Sequence, residues 1–247
     1  MNNLIKKIIF PFFIFLVWQA SYFIFKIENS LLPSPFEIIQ ASFELGKSSE
    51  IYLDIFDSLQ RVFIGFSLAS IVGIFLGLIL GNFKKVSEYF LPLIEILRPI
   101  PPIAWIPVAI LIFGLGNTSA YFIIFLGSFF PIFSNTYFGA ASLPLIYRNT
   151  AASFELPQLL FFKDILLKFS LPYIFTGLKI GIGMAWICVI AAEMIGAQSG
   201  LGYFIQINRL YLRTDNMFVG MILIGLIGYV LNLFFSWLEI KIIKWQN

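Results

Sequence analysis

The chain has 247 residues, of which 60% are hydrophobic and 12% charged, and its net charge is +3. Soluble domains carry about a quarter of their residues as charges, so a water-facing globule is excluded and lipid is the solvent for much of this surface. With no histidine and one cysteine, Cys188, an internal disulfide, a Cys/His zinc site and histidine acid–base chemistry are excluded, and the scattered lysines and arginines give no footprint for nucleic acid.

A membrane span needs about 20 predominantly apolar residues, and by that criterion the chain holds about six. The first, Ile8 to Phe25, follows Lys6 and Lys7. Its apolar run is longer than the ~7–15 residues of a signal-peptide core and no A-x-A site follows, so it reads as a retained helix. A long connection from Ile27 to Gln60 holds an amphipathic stretch, Phe36 to Leu45. Within it, Ala41 to Ser48 fits the loosest form of a phosphate-binding loop. No strand precedes it, alanine replaces the first glycine and Glu44 would repel phosphate, so the match is set aside.

The second span, Val62 to Gly81, carries Gly73, Gly77 and Gly81 as a double GxxxG run. Such spacing lets another helix approach closely, and packing within one subunit is preferred to a homodimer seam. The third, Leu91 to Phe113, has Pro99, Pro101, Pro102 and Pro107 within nine residues, which no continuous helix accommodates. Free backbone groups are not tolerated in lipid, so the break either lines a path through protein or lies at the interface with Arg98 snorkelling to headgroups. Glu95 is spaced to pair with Arg98. Arg98, Pro101 and Pro102 are therefore candidate pathway residues.

The remaining spans are Ala120 to Phe138, Tyr173 to Ile195 and Met217 to Leu238. Between the fourth and fifth, the connection Gly139 to Leu171 is divided by Pro144, Pro157 and Pro172 into two helix-length pieces, about Leu145 to Leu156 and Gln158 to Leu171. Amphipathic pieces of this kind suit a partner's groove or the membrane surface. In the fifth span, Glu193 lies near one end and Lys179 near the other, and Gly177 and Gly181 repeat the small-residue spacing. An ionisable side chain in a span is a pathway or gate candidate, with contact to water at the span end as the alternative for Glu193; Lys179 reads as a snorkelling anchor. With the N-terminus inside, Lys6, Lys7, Lys84, Lys85, Arg148, Lys163, Lys168, Lys241 and Lys244 all fall inside, so both termini and the 139–171 connection are expected to be cytoplasmic.

The stretch from Ser170 to Lys179 and that from Ile187 to Tyr203, with its Ala191-Ala192-Glu193-Met194-Ile195-Gly196 core, resemble inner-membrane permeases of binding-protein-dependent ABC importers. The nitrate/sulfonate/taurine/bicarbonate branch, with the related permeases for thiamine precursors, is the nearest. Leu97 to Pro107, Leu32 to Pro35 and Phe129 to Pro131 match the same branch.

The resemblance implies an all-α membrane protein, one permease domain over 1–247 with its core at 58–240, an extra N-terminal helix at 8–25 and a coupling loop at 139–171. It implies a bacterial inner-membrane location, a separate ABC ATPase, a second permease subunit forming a homodimer, and an extracytoplasmic solute-binding protein. No cofactor is expected in this chain, since ATP would be bound by the partner ATPase. The family's ATPase-docking segment maps onto Asn149, Thr150, Ala151 and Ala152, with Glu155 at the family's glycine position and Pro157 placed to end the helix. A bulky charged residue at Ala151 is then expected to abolish docking with the spans still inserted. A membrane enzyme would have only Glu95 and Glu193 as carboxylates within spans, near opposite faces. A gradient-driven transporter would need no ATPase.

Overall fold

The computed structural model describes Phe13 and residues 16–20 and 32–243; Phe13 and residues 16–20 are helical, and the rest of the expected 8–25 span and Lys244 lie outside the described residues. Helix α1 (Pro35–Leu45) is the expected amphipathic stretch. A capping box starts it: the Glu37 N–H donates to Ser34 Oγ at 3.3 Å and the Ser34 N–H donates to the Glu37 carboxylate at 2.8 Å. The phosphate-loop lookalike lies on α1 and the turn after it, where the amides of Gly46 and Lys47 already donate to Ser42 and Glu44 carbonyls.

Helix α2 (Ser49–Asn82) is 34 residues long, or about 50 Å at 1.5 Å per residue. This corrects the second span, which was expected to begin at Val62: three further turns of the supposed loop belong to the helix. Ser48 caps it, its hydroxyl accepting from the Glu50 N–H at 3.2 Å, and no proline interrupts the chain before Asn82. The third span is broken as expected. Helix α3 (Lys84–Leu97) and the limb containing α4 (Ile106–Phe113) meet at 86°, joined by a 3₁₀ turn at Pro102–Trp105. Glu95 and Arg98 do not form an ion pair.

Helices α5 (Asn117–Ala141), α6 (Leu145–Ser153), α7 (Gln158–Gly196), α8 (Leu201–Leu210) and α9 (Thr214–Ile242) follow. The connection between α5 and α7 is therefore shorter than 139–171. Its second piece is continuous with the fifth span across Pro172, through a π-helical turn at Phe161–Leu166. One internal proline costs about 3 kcal/mol, and buried Leu166, Ile174 and Phe175 hold this stretch in the packed bundle. Among the described residues α2, α5, α7 and α9 are long and apolar enough to cross a membrane, and the two limbs of the bent pair are so when counted together.

The centre of the bundle is α2, α5 and α7. Helices α2 and α5 run parallel in step, with Gly65 against Ile124, Gly73 against Ile132, Gly77 against Thr136 and Gly81 against Ala140; a Cβ on any of these glycines would come within 2.6–3.1 Å of its partner. The double GxxxG run is thus consumed by packing within one subunit. Antiparallel α7 brings Gly177 and Gly181 onto Ile132 of the same helix. Outside this core, Trp186 donates to the Ile224 carbonyl of α9 at 2.9 Å. Lys179 pairs with Glu239 of α9 at 2.6 Å, so it is tied to a neighbouring helix instead of snorkelling freely. Outward residues such as Phe63, Ile71, Phe75, Leu111 and Tyr229 are exposed, as a lipid-facing surface requires.

Candidate functional site

Three places in the fold carry the candidate residues. At one end of the bundle, α6 sits between α5 and α7. Its inner face is Ala151, 4% exposed, beside Asn82, Phe83 and Phe161. Arg148 fastens the helix: Nη1 donates to Asn82 Oδ1 at the end of α2 at 2.6 Å, and the guanidinium lies 6.0 Å from the centre of the Phe161 ring. The outer face presents Leu145, Ile146 and Phe154, each about 70% exposed or more, alongside exposed Asn149, Thr150 and Ala152.

The end of α6 is set by Glu155. That residue adopts φ +48°, its N–H donates to the Ala152 carbonyl, and the Leu156 N–H donates to the Ala151 carbonyl, both at 3.0 Å. This is the Schellman arrangement, with glutamate in the left-handed position that usually belongs to glycine. Glu155 itself turns the chain out of the helix, and Pro157 follows the stop. Because Ala151 faces inward, a bulky substitution there disrupts the seating of α6 as well as anything that docks on it; the exposed positions are the cleaner probes.

At the opposite end, Glu193 of α7 and Arg61 of α2 are buried, at 1% and 5% exposure. Arg61 Nη1 donates to Glu193 Oε1 at 2.7 Å. Ser58 Oγ donates to the same carboxylate, at 2.8 Å from Oε1 and 2.9 Å from Oε2, and accepts from the Leu201 N–H at 2.9 Å. The Gly202 N–H donates to Glu193 Oε2 at 2.9 Å, so the carboxylate also caps the start of α8. The remaining guanidinium donors reach Asn117 Oδ1 at 2.8 Å, the Ser199 carbonyl at 2.7 Å and Ser199 Oγ at 2.8 Å. Gly200, at φ +105°, leaves no room for a side chain: a Cβ would overlap the Glu193 carboxylate and Arg61. Its N–H donates to Asp54 Oδ1 at 2.7 Å. The cluster thus ties α2, α5, α7 and α8 together.

This arrangement corrects one expectation for Glu193, which does not reach water. The sequence reading passed over Arg61, which stands one residue before the apolar run taken as the second span. It also passed over α8. The Gly200-Leu201-Gly202 stretch was a signal for a turn into a helix, but not for what that turn would bind.

The third place is a cavity of about 270 Å³ under the broken span. Arg98, Ile100 and Pro102 line it from the break, Phe130, Pro131, Ser134 and Asn135 from α5, and Ile180 and Met184 from α7. Pro101 is exposed at the break. Arg98 and Pro102 are therefore brought together, whereas Glu193 belongs to the separate buried cluster. Among the described residues no group of three His, Cys, Asp or Glu side chains converges to hold a metal ion.

The chain matches the family model for binding-protein-dependent transport system inner membrane components over residues 69–240. It is 37% identical over 221 residues to the nitrate import permease protein NrtB of Synechocystis, covering 86% of this chain and 80% of that one. It is 32% identical over 248 residues to SsuC of Bacillus subtilis, a permease protein named for aliphatic sulfonates transport, covering 98% and 88% respectively. The fold is similar to that of a chain of the inward-facing MetNI methionine ABC transporter, with a TM-score of 0.67 at 17% identity over 77% of this chain and 94% of that one. The protein belongs to the family of binding-protein-dependent transport system inner membrane components and is an ABC-importer permease.

Proposed function

We propose that this permease forms the membrane path of an ATP-driven importer for a small oxyanion, with α6 as the docking helix for a cytoplasmic ATPase. The observation that carries the reading is the two-faced build of α6. Its inner face is anchored by Arg148 and Ala151, and its outer face leaves Leu145, Ile146 and Phe154 uncovered. Exposed apolar side chains on a short fixed helix suit a groove on another protein. Asn149, Thr150 and Ala152 flank them, and Glu155 with Pro157 sets where the helix stops.

On this reading residues 1–247 act as one membrane domain in the bacterial inner membrane, with both termini on the ATPase side, where the basic residues accumulate. Two copies enclose the path between them, and a binding protein delivers solute on the opposite side. The names of the relatives support an oxyanion, nitrate or an alkanesulfonate. ATP is held by the partner, and this chain supplies no bond chemistry. Arg98, Pro101 and Pro102 border the path. Glu193 fixes the outer end of the bundle.

The test is affinity purification from native membranes. The unaltered chain should bring down a stoichiometric ATPase, and Ile146→Asp or Phe154→Asp should reduce that recovery at least about tenfold, the loss expected on placing a charge in an apolar contact, while the protein still inserts. An unaltered chain that recovers no ATPase even after crosslinking would sink the proposal.

A further inference from the structure

Arg98 stands exposed at the break after α3. Among the described residues it has neither an ion pair nor a side-chain hydrogen bond, and Glu95, three residues earlier, leaves it alone. Yet it lines a cavity whose α5 wall runs from Leu126 to Asn135. Those residues begin nine positions into α5, about 14 Å along the helix axis, well inside the span. Arg98 itself is exposed, and a charged side chain facing such a wall is retained where it meets water, a counter-charge or a ligand.

The other polar groups are few and specific. The Ser134 hydroxyl lines the cavity and has no hydrogen-bond partner among the described residues. Asn135 is already engaged, its Nδ2 donating to the Pro131 carbonyl at 2.8 Å. Arg98 is the single charged residue on the wall, and Ile100, Phe130, Ile180 and Met184 make most of the remainder apolar. One guanidinium fork with a nearby hydroxyl matches one oxyanion head. The apolar walls match a short carbon body, which would cover hydrophobic surface that a bare inorganic ion leaves to water.

The geometry points to a substrate subsite within the permease itself: the cavity under the broken span takes a small organic monoanion, such as a short alkanesulfonate, with Arg98 and Ser134 on the head and Phe130, Ile180 and Met184 around the body. The assignment rests on the importer reading for its place in transport, but it can be tested without the ATPase. A site of this kind gives the permease its own selection by charge and shape, after delivery by the binding protein.

The test uses the full chain in permeabilised membranes, with Ser134→Cys as the reporter and the unaltered chain setting the background from buried Cys188. Two thiol reagents of similar size are compared, the anionic sulfonatoethyl methanethiosulfonate and the cationic trimethylammonioethyl methanethiosulfonate. Each rate is taken relative to a free thiol in solution. One nearby guanidinium should favour the anionic reagent about tenfold. Adding Arg98→Gln should bring the ratio close to one, and Arg98→Lys should keep most of it. Excess ethanesulfonate should slow the labelling, and nitrate at the same concentration should slow it less.

A ratio unchanged by Arg98→Gln overturns the assignment, as does a Ser134→Cys thiol inert to both reagents. Equal protection by nitrate overturns the organic body. None of these results depends on ATPase recovery. The importer reading therefore fails or stands by its own experiment.

Discussion

Glu193 and Arg61 are 132 residues apart in sequence and in direct contact inside the bundle. Neither charge is tolerable alone in a low-dielectric interior, and each becomes tolerable because every oxygen and nitrogen around the pair is hydrogen-bonded. Removing both should therefore cost less than the two single losses added together. Glu193→Ala or Arg61→Met alone should destabilise the protein by about 3–5 kcal/mol, the range for breaking a buried pair. The double variant should lose less than the sum, with a coupling of about 1–3 kcal/mol. Thermal unfolding in detergent, followed by a thiol-reactive dye on buried Cys188, measures all three; strictly additive losses would show that the contact is energetically idle. Glu155 presents the opposite case, a residue kept in an unfavourable backbone state. A non-glycine residue in the left-handed region gives up about 1 kcal/mol. Glu155→Gly should accordingly slow hydrogen exchange at the Leu156 amide about fivefold and leave ATPase recovery intact. Faster exchange would mean that the glutamate side chain supports the turn in a way its φ does not reveal.

Among the elements, the contact between α2 and α5 makes the strictest demand on sequence. At Gly77 an added Cβ would lie 2.7 Å from Thr136 Cβ, and at Gly81 it would lie 2.6 Å from Ala140 Cβ. Gly77→Ala and Gly81→Ala should each destabilise the bundle by about 1–3 kcal/mol, the cost of overpacking a fixed interface. Gly183→Ala is the matched control, because nothing lies within 4 Å of its Cβ position, and its change should stay within about 0.5 kcal/mol. Unfolding curves of the three variants give the comparison; a loss at Gly183 as large as at Gly77 would remove the packing argument. The spacing of these glycines was legible in the sequence because it repeats on one helical face. So was the break after α3, because proline supplies no N–H wherever it stands. The first three turns of α2 were not legible. Asp54, Asp57 and Arg61 look like loop residues to a hydropathy window, and what makes them helical is a polar cluster assembled from three other helices. Pro172 misled in the other direction: its local cost is real, but the burial of Leu166, Ile174 and Phe175 on either side of it offsets that cost.

At the scale of the whole molecule, α2 joins the two ends. Asn82 at its last turn accepts from Arg148 of α6, and Ser58 and Arg61 near its start hold Glu193 and the beginning of α8. Between these ties it packs along α5 through the glycine face, so a displacement of α6 reaches the far end through a single continuous rod. Coupling of this kind needs an element whose position both ends can bias, and the bent third span is the natural yielding part, since its 86° break carries no continuous hydrogen-bond ladder. On the proposed importer, docking and transmission are then separable. Arg148→Met removes the tie to Asn82 but leaves Leu145, Ile146 and Phe154 on the outer face. ATPase recovery should stay within about twofold of the unaltered chain, because the contact surface for the partner is intact. Solute carried per ATP hydrolysed in proteoliposomes should fall about tenfold, the share expected if one charge-assisted hydrogen bond of roughly 1.5 kcal/mol or more held α6 to α2. Recovery and transport falling together would place Arg148 in the seating of α6 and deny α2 a role in transmission. Unchanged transport would show that α5 and α7, which flank α6 in the chain, carry the motion without it.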